Sequence, residues 1–342
     1  MKFSEISKKL GMALLTGAVV VSMAGMNVSA ALVQSGENLT SVTVNKKVET
    51  KEKTYKPNET FTFTVNPATP SDGEKFENNV VYSGVEDGLT AGNGAEFKAA
   101  GDYVLSTEYT ATGSLNIDKT QFERAGVYKY TVSENQGSYD GMVYDDSTYD
   151  VYVYVYADET TGDLSVGNVV SVKNGEKTEL GFTNKYGVGD DNDTLHNIEI
   201  KKIITGNQSN MNDTFNFDVK VAGSNAEELY VVEVNGKTVD PLKGDNKTVT
   251  YTIGHDGTIK IYSLSPQDAY SVIEQANEQG YVVTIDGKNT GSLTADTTVT
   301  FTNTKNATTP TGVIMNIAPY ALMVALAGVL AFFFLRRRHS EI

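Results

Sequence analysis

Two distant stretches of this chain run through the same steps. TVNKKVETKEKTYKPNETFTFTV (Thr43 to Val65) and EIKKIITGNQSNMNDTFNFDV (Glu199 to Val219) each give a lysine-bearing run, a polar loop and a Thr-Phe-x-Phe run. Farther on, YKYTVSEN (Tyr128 to Asn135) is answered by AYSVIEQA (Ala269 to Ala276), and FTNKY (Phe182 to Tyr186) by FTNTK (Phe301 to Lys305). An internal repeat of this length implies two copies of one folding unit. Both copies consist of short alternating runs of Val, Thr, Tyr and Phe divided by Gly, Asn and Asp, the pattern of half-buried strands joined by turns. No long amphipathic helix competes. The expected fold is all-β, two tandem Ig-like β-sandwich domains. The acidic, glycine-containing stretch GVGDDNDT (Gly187 to Thr194) separates them, giving a first domain over 31–189 and a second over 190–306.

Residues two apart on a strand share a face. Val42, Val44 and Lys46 therefore point the same way, as do Ile198, Ile200 and Lys202. Tyr128, Tyr130, Val132 and Glu134 form a second set, matched by Tyr270, Val272 and Glu274. Leu180, Phe182 and Asn184 form a third, matched by Val299, Phe301 and Asn303. In each copy a lysine, a glutamate and an asparagine fall on the apolar side of three different strands, while Lys47 and Lys201 fall on the wet side.

Burying an unpaired charge costs several kcal/mol, so such groups tend to neutralise. Burial lowers the pKa of a lysine and raises that of a glutamate. A neutral amine is a nucleophile, and a protonated glutamate could hydrogen-bond the carboxamide oxygen and shuttle protons. Attack of the amine on the carboxamide would expel ammonia and leave an intramolecular isopeptide bond, with no cofactor and no metal. For one trio alone, a snorkelling lysine and two turn-capping polar residues are the simpler account. Two trios in the same order favour the chemistry.

The termini carry their own patterns. MKFSEISKKL, a short apolar run and NVSAA read as a secretory signal peptide over 1–30. Near the other end, Pro310-Thr311-Gly312 precedes an apolar run at 313–335 that is long enough to cross a bilayer, followed by Arg336, Arg337, Arg338 and His339. This segment, 307–342, reads either as a tail anchor or as a sequence that an enzyme cuts. The formal net charge is −15. Three lysines and one glutamate in the leader, with three arginines and one glutamate in the tail, contribute +4, so the remainder carries −19. Such acidity argues against nucleic acid as a partner. Cysteine is absent, so an exported form has no disulfides.

Pro-Thr-Gly, an apolar span and terminal arginines together resemble the Gram-positive sortase sorting signal, although Thr309 stands where that signal usually has an apolar residue. With TVNKKV and EIKKII for the lysines, YTVSE and YSVIE for the acids and the two FTN ends, the chain resembles the backbone pilins of Gram-positive bacteria, in particular the streptococcal pilin isopeptide-linkage family. The resemblance implies bonds Lys46–Asn184 with Glu134 and Lys202–Asn303 with Glu274. It implies cleavage between Thr311 and Gly312 by a pilin sortase, which would join identical subunits head to tail and attach the fibre to the cell wall or peptidoglycan at the cell surface. The acceptor lysine of such fibres lies in the loop before the last strand of the first domain, which offers Lys177 first and Lys173 second. Host surface ligands would be further partners. The alternative is a wall-anchored adhesin that is never polymerised.

Enzymatic readings find little support. Between leader and tail the only histidines are His196 and His255, too few for a histidine-based zinc site. GDDNDTLHN has Thr194 where an EF-hand loop needs Gly. The run YDVYVYVYA (Tyr149 to Ala157) sets valines on one face and tyrosines on the other, which fits a core face and a packed outer face better than a ligand stripe.

Overall fold

The computed structural model describes residues 38–99, 103–188 and 195–307, with Met323 and Ala327 as isolated positions. The expected leader, the Pro310-Thr311-Gly312 site, the basic tail and the division at Asp190 lie outside these residues. Regular structure among the described segments is almost all strand, and no helix in them is long and apolar enough to cross a membrane.

The strands up to Tyr186 build one pair of main sheets. A five-stranded sheet runs Met142–Val143, Gly181–Tyr186, Ser41–Thr50, Glu108–Ile117, Leu89–Ala91. Opposite lies a seven-stranded sheet in which Gly126–Glu134 pairs with Thr148–Ala157 on one side and with both Phe63–Pro67 and Asn79–Ser83 on the other. Val44, Leu115 and Phe182 from the first sheet pack against Tyr130, Val132, Val151 and Val153 from the second. The strands from His196 build a second pair. A six-stranded sheet contains His196–Thr205 between Thr258–Leu264 and Thr297–Thr304, and a four-stranded sheet contains Thr214–Ala222 beside Ala269–Glu274. The chain is thus all-β, as its alternating pattern implies.

In each half the lysine-bearing strand pairs in parallel with the asparagine-bearing strand, and the register is the same. Lys46 stands opposite Phe182 and Val48 opposite Asn184; Lys202 stands opposite Phe301 and Ile204 opposite Asn303. First and last strands of each sandwich are therefore neighbours, with lysine and asparagine diagonal to each other on one face. The glutamate strand lies in the facing sheet.

Glu108–Ile117, a full neighbour of the lysine strand, lacks the alternation of large apolar residues that marks the lysine, glutamate and asparagine strands. Its run EYTATGSLNI is poor in large apolar residues and is broken by Gly113. That glycine sits opposite Val44, and a Cβ there would lie 2.5 Å from a ring carbon of Phe63. A side chain is excluded by packing, so the strand loses the very marker that would reveal it.

Tyr149 joins the core with Val151, Val153 and Val155, while Tyr152, Tyr154 and Tyr156 face outward but are covered. Tyr152 and Tyr154 are buried beneath the Lys75–Phe76 and Asn79–Ser83 hairpin, where Phe76 stacks on Tyr152 at 3.9 Å between ring centres.

The two sandwiches touch. Thr54 forms an isolated bridge with Tyr230, and its hydroxyl lies 2.7 Å from that of Ser263. Tyr55, Ala99, Leu229 and Val231 make a small shared apolar cluster. Beside it the buried Glu228 accepts hydrogen bonds from Tyr139 (3.3 Å) and Tyr186 (2.5 Å) of the first sandwich and from Tyr230 (2.9 Å) of its own.

Candidate functional site

The alternation of each strand carries the three polar residues inward. Lys46, Asn184, Lys202 and Asn303 are at most 1 % exposed, and Glu134 is 4 % exposed. The side chain of Glu274 is 3 % exposed.

In the first sandwich the Lys46 Nζ lies 2.8 Å from Glu134 Oε1. Asn184 Nδ2 donates to the same oxygen at 3.3 Å. One carboxyl oxygen thus spans the amine and the carboxamide nitrogen. In the second, Lys202 Nζ reaches Glu274 Oε2 at 2.8 Å while Asn303 Nδ2 reaches Oε1 at 2.5 Å. The structure brings both trios together.

Each amine also sits over a ring. Lys46 Nζ is 4.7 Å from the centre of Phe61, and Lys202 Nζ is 4.2 Å from the centre of Phe215. These are the first phenylalanines of the two Thr-Phe-x-Phe runs. The second ones, Phe63 and Phe217, pack on Phe182 and Phe301, the residues of the FTN ends. The repeat therefore contains the pocket walls as well as the polar trio, a use of Phe61 and Phe215 that facing alone does not reveal.

Desolvation dominates the electrostatics. It brings the Lys46 amine down to about 8, against the opposing pull of Glu134. It pushes the Glu134 carboxyl up, against hydrogen bonding from Lys46. Burial likewise lowers Lys202. Both directions favour an uncharged amine beside a protonated acid.

Both asparagines depart from the sequence reading in one respect: Nδ2, not Oδ1, faces the glutamate. Asn184 has a further feature: its Oδ1 accepts the backbone N–H of Asp145 at 2.8 Å. Nothing in the sequence marks Asp145, because the contribution comes from its main chain and has no partner in the second copy of the repeat.

The lysines near the last strand of the first sandwich differ in setting. Lys177 lies on the short strand Glu176–Lys177, half-exposed, paired with Glu77 and over the ring of Phe76. Lys173 donates to Ser147 Oγ at 2.9 Å and lies over Tyr149. Among the described residues no group of three His, Cys, Asp or Glu side chains is placed to hold a metal.

The profile of the Spy0128-like isopeptide containing domain family matches residues 42–187. A profile described only as a domain of unknown function, DUF7601, matches 196–305, so the two matches divide the chain as its sheets do. A curated pilin of Streptococcus pyogenes serotype M1 is 28 % identical over 97 % of this chain and all of its own length. The crystal structure of the major pilin from Streptococcus pyogenes superposes with a TM-score of 0.58 at 22 % identity, covering 79 % of this chain and all of that one. A second major pilin of that species, T3.2, gives 0.56 at 21 %, covering 79 % of this chain and 99 % of the other. The structural likeness shows that the fold is shared along most of the chain.

Proposed function

We propose that this chain is a structural subunit of a covalently built surface pilus, and that each sandwich is locked by a self-formed isopeptide bond, Lys46–Asn184 and Lys202–Asn303. The observation that carries this reading is the double occurrence of one arrangement: a dry amine and carboxamide on adjacent parallel strands, in the same register, joined through a glutamate from the facing sheet. The near-full-length similarity to a pilin supports it.

The amine attacks the carboxamide carbon, the glutamate takes a proton from Nζ and hands one to the departing nitrogen, and ammonia leaves. Atoms and charge balance without a cofactor. The intact mass of the folded, leaderless chain should fall two ammonia molecules below the sequence mass; an unmodified mass would defeat the reading.

Polymerisation would join Thr311 of one subunit to a lysine of the next through a sortase. Lys177 is the better acceptor, because its side chain is half-exposed on an edge strand, where among the described residues only the exposed Glu77 pairs its amine, whereas Lys173 is less exposed and held by Ser147 and Tyr149. Boiled wall extracts should give a ladder on a denaturing gel, lost in K177A and retained in K173A. A single band in the unaltered protein would instead indicate an adhesin that is not polymerised.

A further inference from the structure

The two trios differ in how the glutamate meets the two nitrogens, through one oxygen in the first and through both in the second, and they differ again at the carboxamide oxygen. Asn184 Oδ1 accepts the Asp145 N–H at 2.8 Å. Asn303 Oδ1 is buried with no hydrogen-bond partner. The reason lies one strand away. In the first sandwich the strand beside Gly181–Tyr186 is only two residues long, Met142–Val143, pairing with Tyr186 and Lys185. The chain then leaves the ladder, and the next residues but one turn an N–H toward Asn184. In the second sandwich the equivalent strand, Val282–Asp286, continues alongside Thr297–Thr304, with Val283 opposite Asn303 and Ile285 opposite Phe301. Its main chain stays in the ladder.

The Asp145 N–H is held in place. Its own carboxylate accepts the Thr183 N–H at 2.8 Å, from the residue just before Asn184, together with the Ser147 N–H at 2.9 Å and the Ser147 hydroxyl. Its carbonyl accepts Gln136 Nε2 at 3.0 Å. Burial works against this carboxylate, yet the bonds from Ser147 and Thr183 keep it below the usual carboxylate range, so it is a permanent acceptor at neutral pH.

We propose that the Asp145 N–H is an oxyanion donor for the Lys46–Asn184 reaction, and that this bond therefore forms faster than Lys202–Asn303. The inference rests on the isopeptide reading above. As the Lys46 nitrogen attacks, the carbonyl electron pair moves onto Oδ1, where the preset N–H stabilises it. Collapse of the tetrahedral centre restores the carbonyl and breaks the bond to Nδ2, which leaves as ammonia with a proton relayed by Glu134. The division of labour follows: in the first sandwich Glu134 faces both nitrogens and moves protons only. In the second, Glu274 must do that and, after a half-turn of the Asn303 amide, also polarise the oxygen. The Asp145 carboxylate is a positioning group; its N–H is the one that touches a reacting atom.

The test follows both bonds in the same molecule by peptide mass mapping of full-length chain, synthesised in a cell-free system and quenched at intervals. In the unaltered chain Lys46–Asn184 should appear first. D145P, which deletes the N–H, should slow it by about 10²–10³-fold, the usual effect of removing one such donor, and leave Lys202–Asn303 unchanged. D145N, which keeps the backbone N–H and one of the two side-chain acceptor oxygens, should restore part of the rate. Equal rates for the two bonds in the unaltered chain, or an unslowed first bond in D145P, would overturn the proposal. Absence of both bonds in the unaltered chain would instead defeat the isopeptide reading beneath it. Should D145P disturb the turn, hydrogen exchange on unreacted E134A reads the contact itself. The Asp145 amide should exchange slowly there and rapidly in E134A/N184A, and equal exchange would again overturn the proposal.

Discussion

Lys46 and Glu134 sit together in a pocket without solvent, and burial drives both toward their uncharged forms. Moving a proton from amine to acid leaves the charge of the pair unchanged. The reactive form, neutral amine with protonated acid, is therefore available throughout the range in which the pair holds one proton. Bond formation in the first sandwich should be flat around neutral pH. It should fall in acid, where a second proton blocks the amine, and above about 8, where the shared proton leaves. Ammonia release measured across this range checks the point; a rate that keeps climbing well past 8 would show that the acid is dispensable. At this scale the sequence was legible where side-chain direction mattered. Alternation placed Lys46, Glu134 and Asn184 on inward faces without knowledge of their partners. Asp145 was not legible, since its main chain does the work.

At the scale of strands, the shared register makes each cross-link tie the first strand of a sandwich to its last. Closing loops of roughly a hundred residues is worth about 5 kcal/mol on the disulfide analogy. N184A and N303A should each lower unfolding stability by about that much, and the two losses should add, because they act in different sandwiches. Denaturant melts of the two single variants and the double variant measure this. The strand Glu108–Ile117 offers a separate prediction. G113A puts a methyl 2.5 Å from the Phe63 ring, and should cost about 1–3 kcal/mol by overpacking while leaving the mass loss of both cross-links intact. The same crowding explains why that strand was hidden: its central residue carries no side chain to contribute to a pattern. The outer tyrosines of Thr148–Ala157 were readable as a packed face, but the hairpin that covers them was not, since strands as short as Lys75–Phe76 leave no periodicity.

Across the whole molecule, the contact between sandwiches centres on Glu228. Burial and the nearby Asp268 push its carboxyl up to about 7, despite the hydrogen bonds from Tyr186, Tyr230 and Tyr139. Its protonated form is therefore favoured at the junction relative to a separated or unfolded state. The stabilisation is fully present below the ordinary carboxylate range and is lost as pH rises through about 7. Melting profiles should show the chain gaining stability from pH 8 to pH 5 by up to about 3 kcal/mol from this group. E228Q should flatten that component, and an unchanged profile would remove Glu228 from the account. One further consequence follows from the parallel pairing of first and last strands. A pull on the two ends of the second sandwich tugs the start of His196–Thr205 one way and the end of Thr297–Thr304 the other. The eight facing residue pairs of that ladder are then loaded in shear, all together, rather than unzipped one by one. Even N303A, with no cross-link there, should yield under an optical trap in one abrupt high-force event instead of peeling gradually.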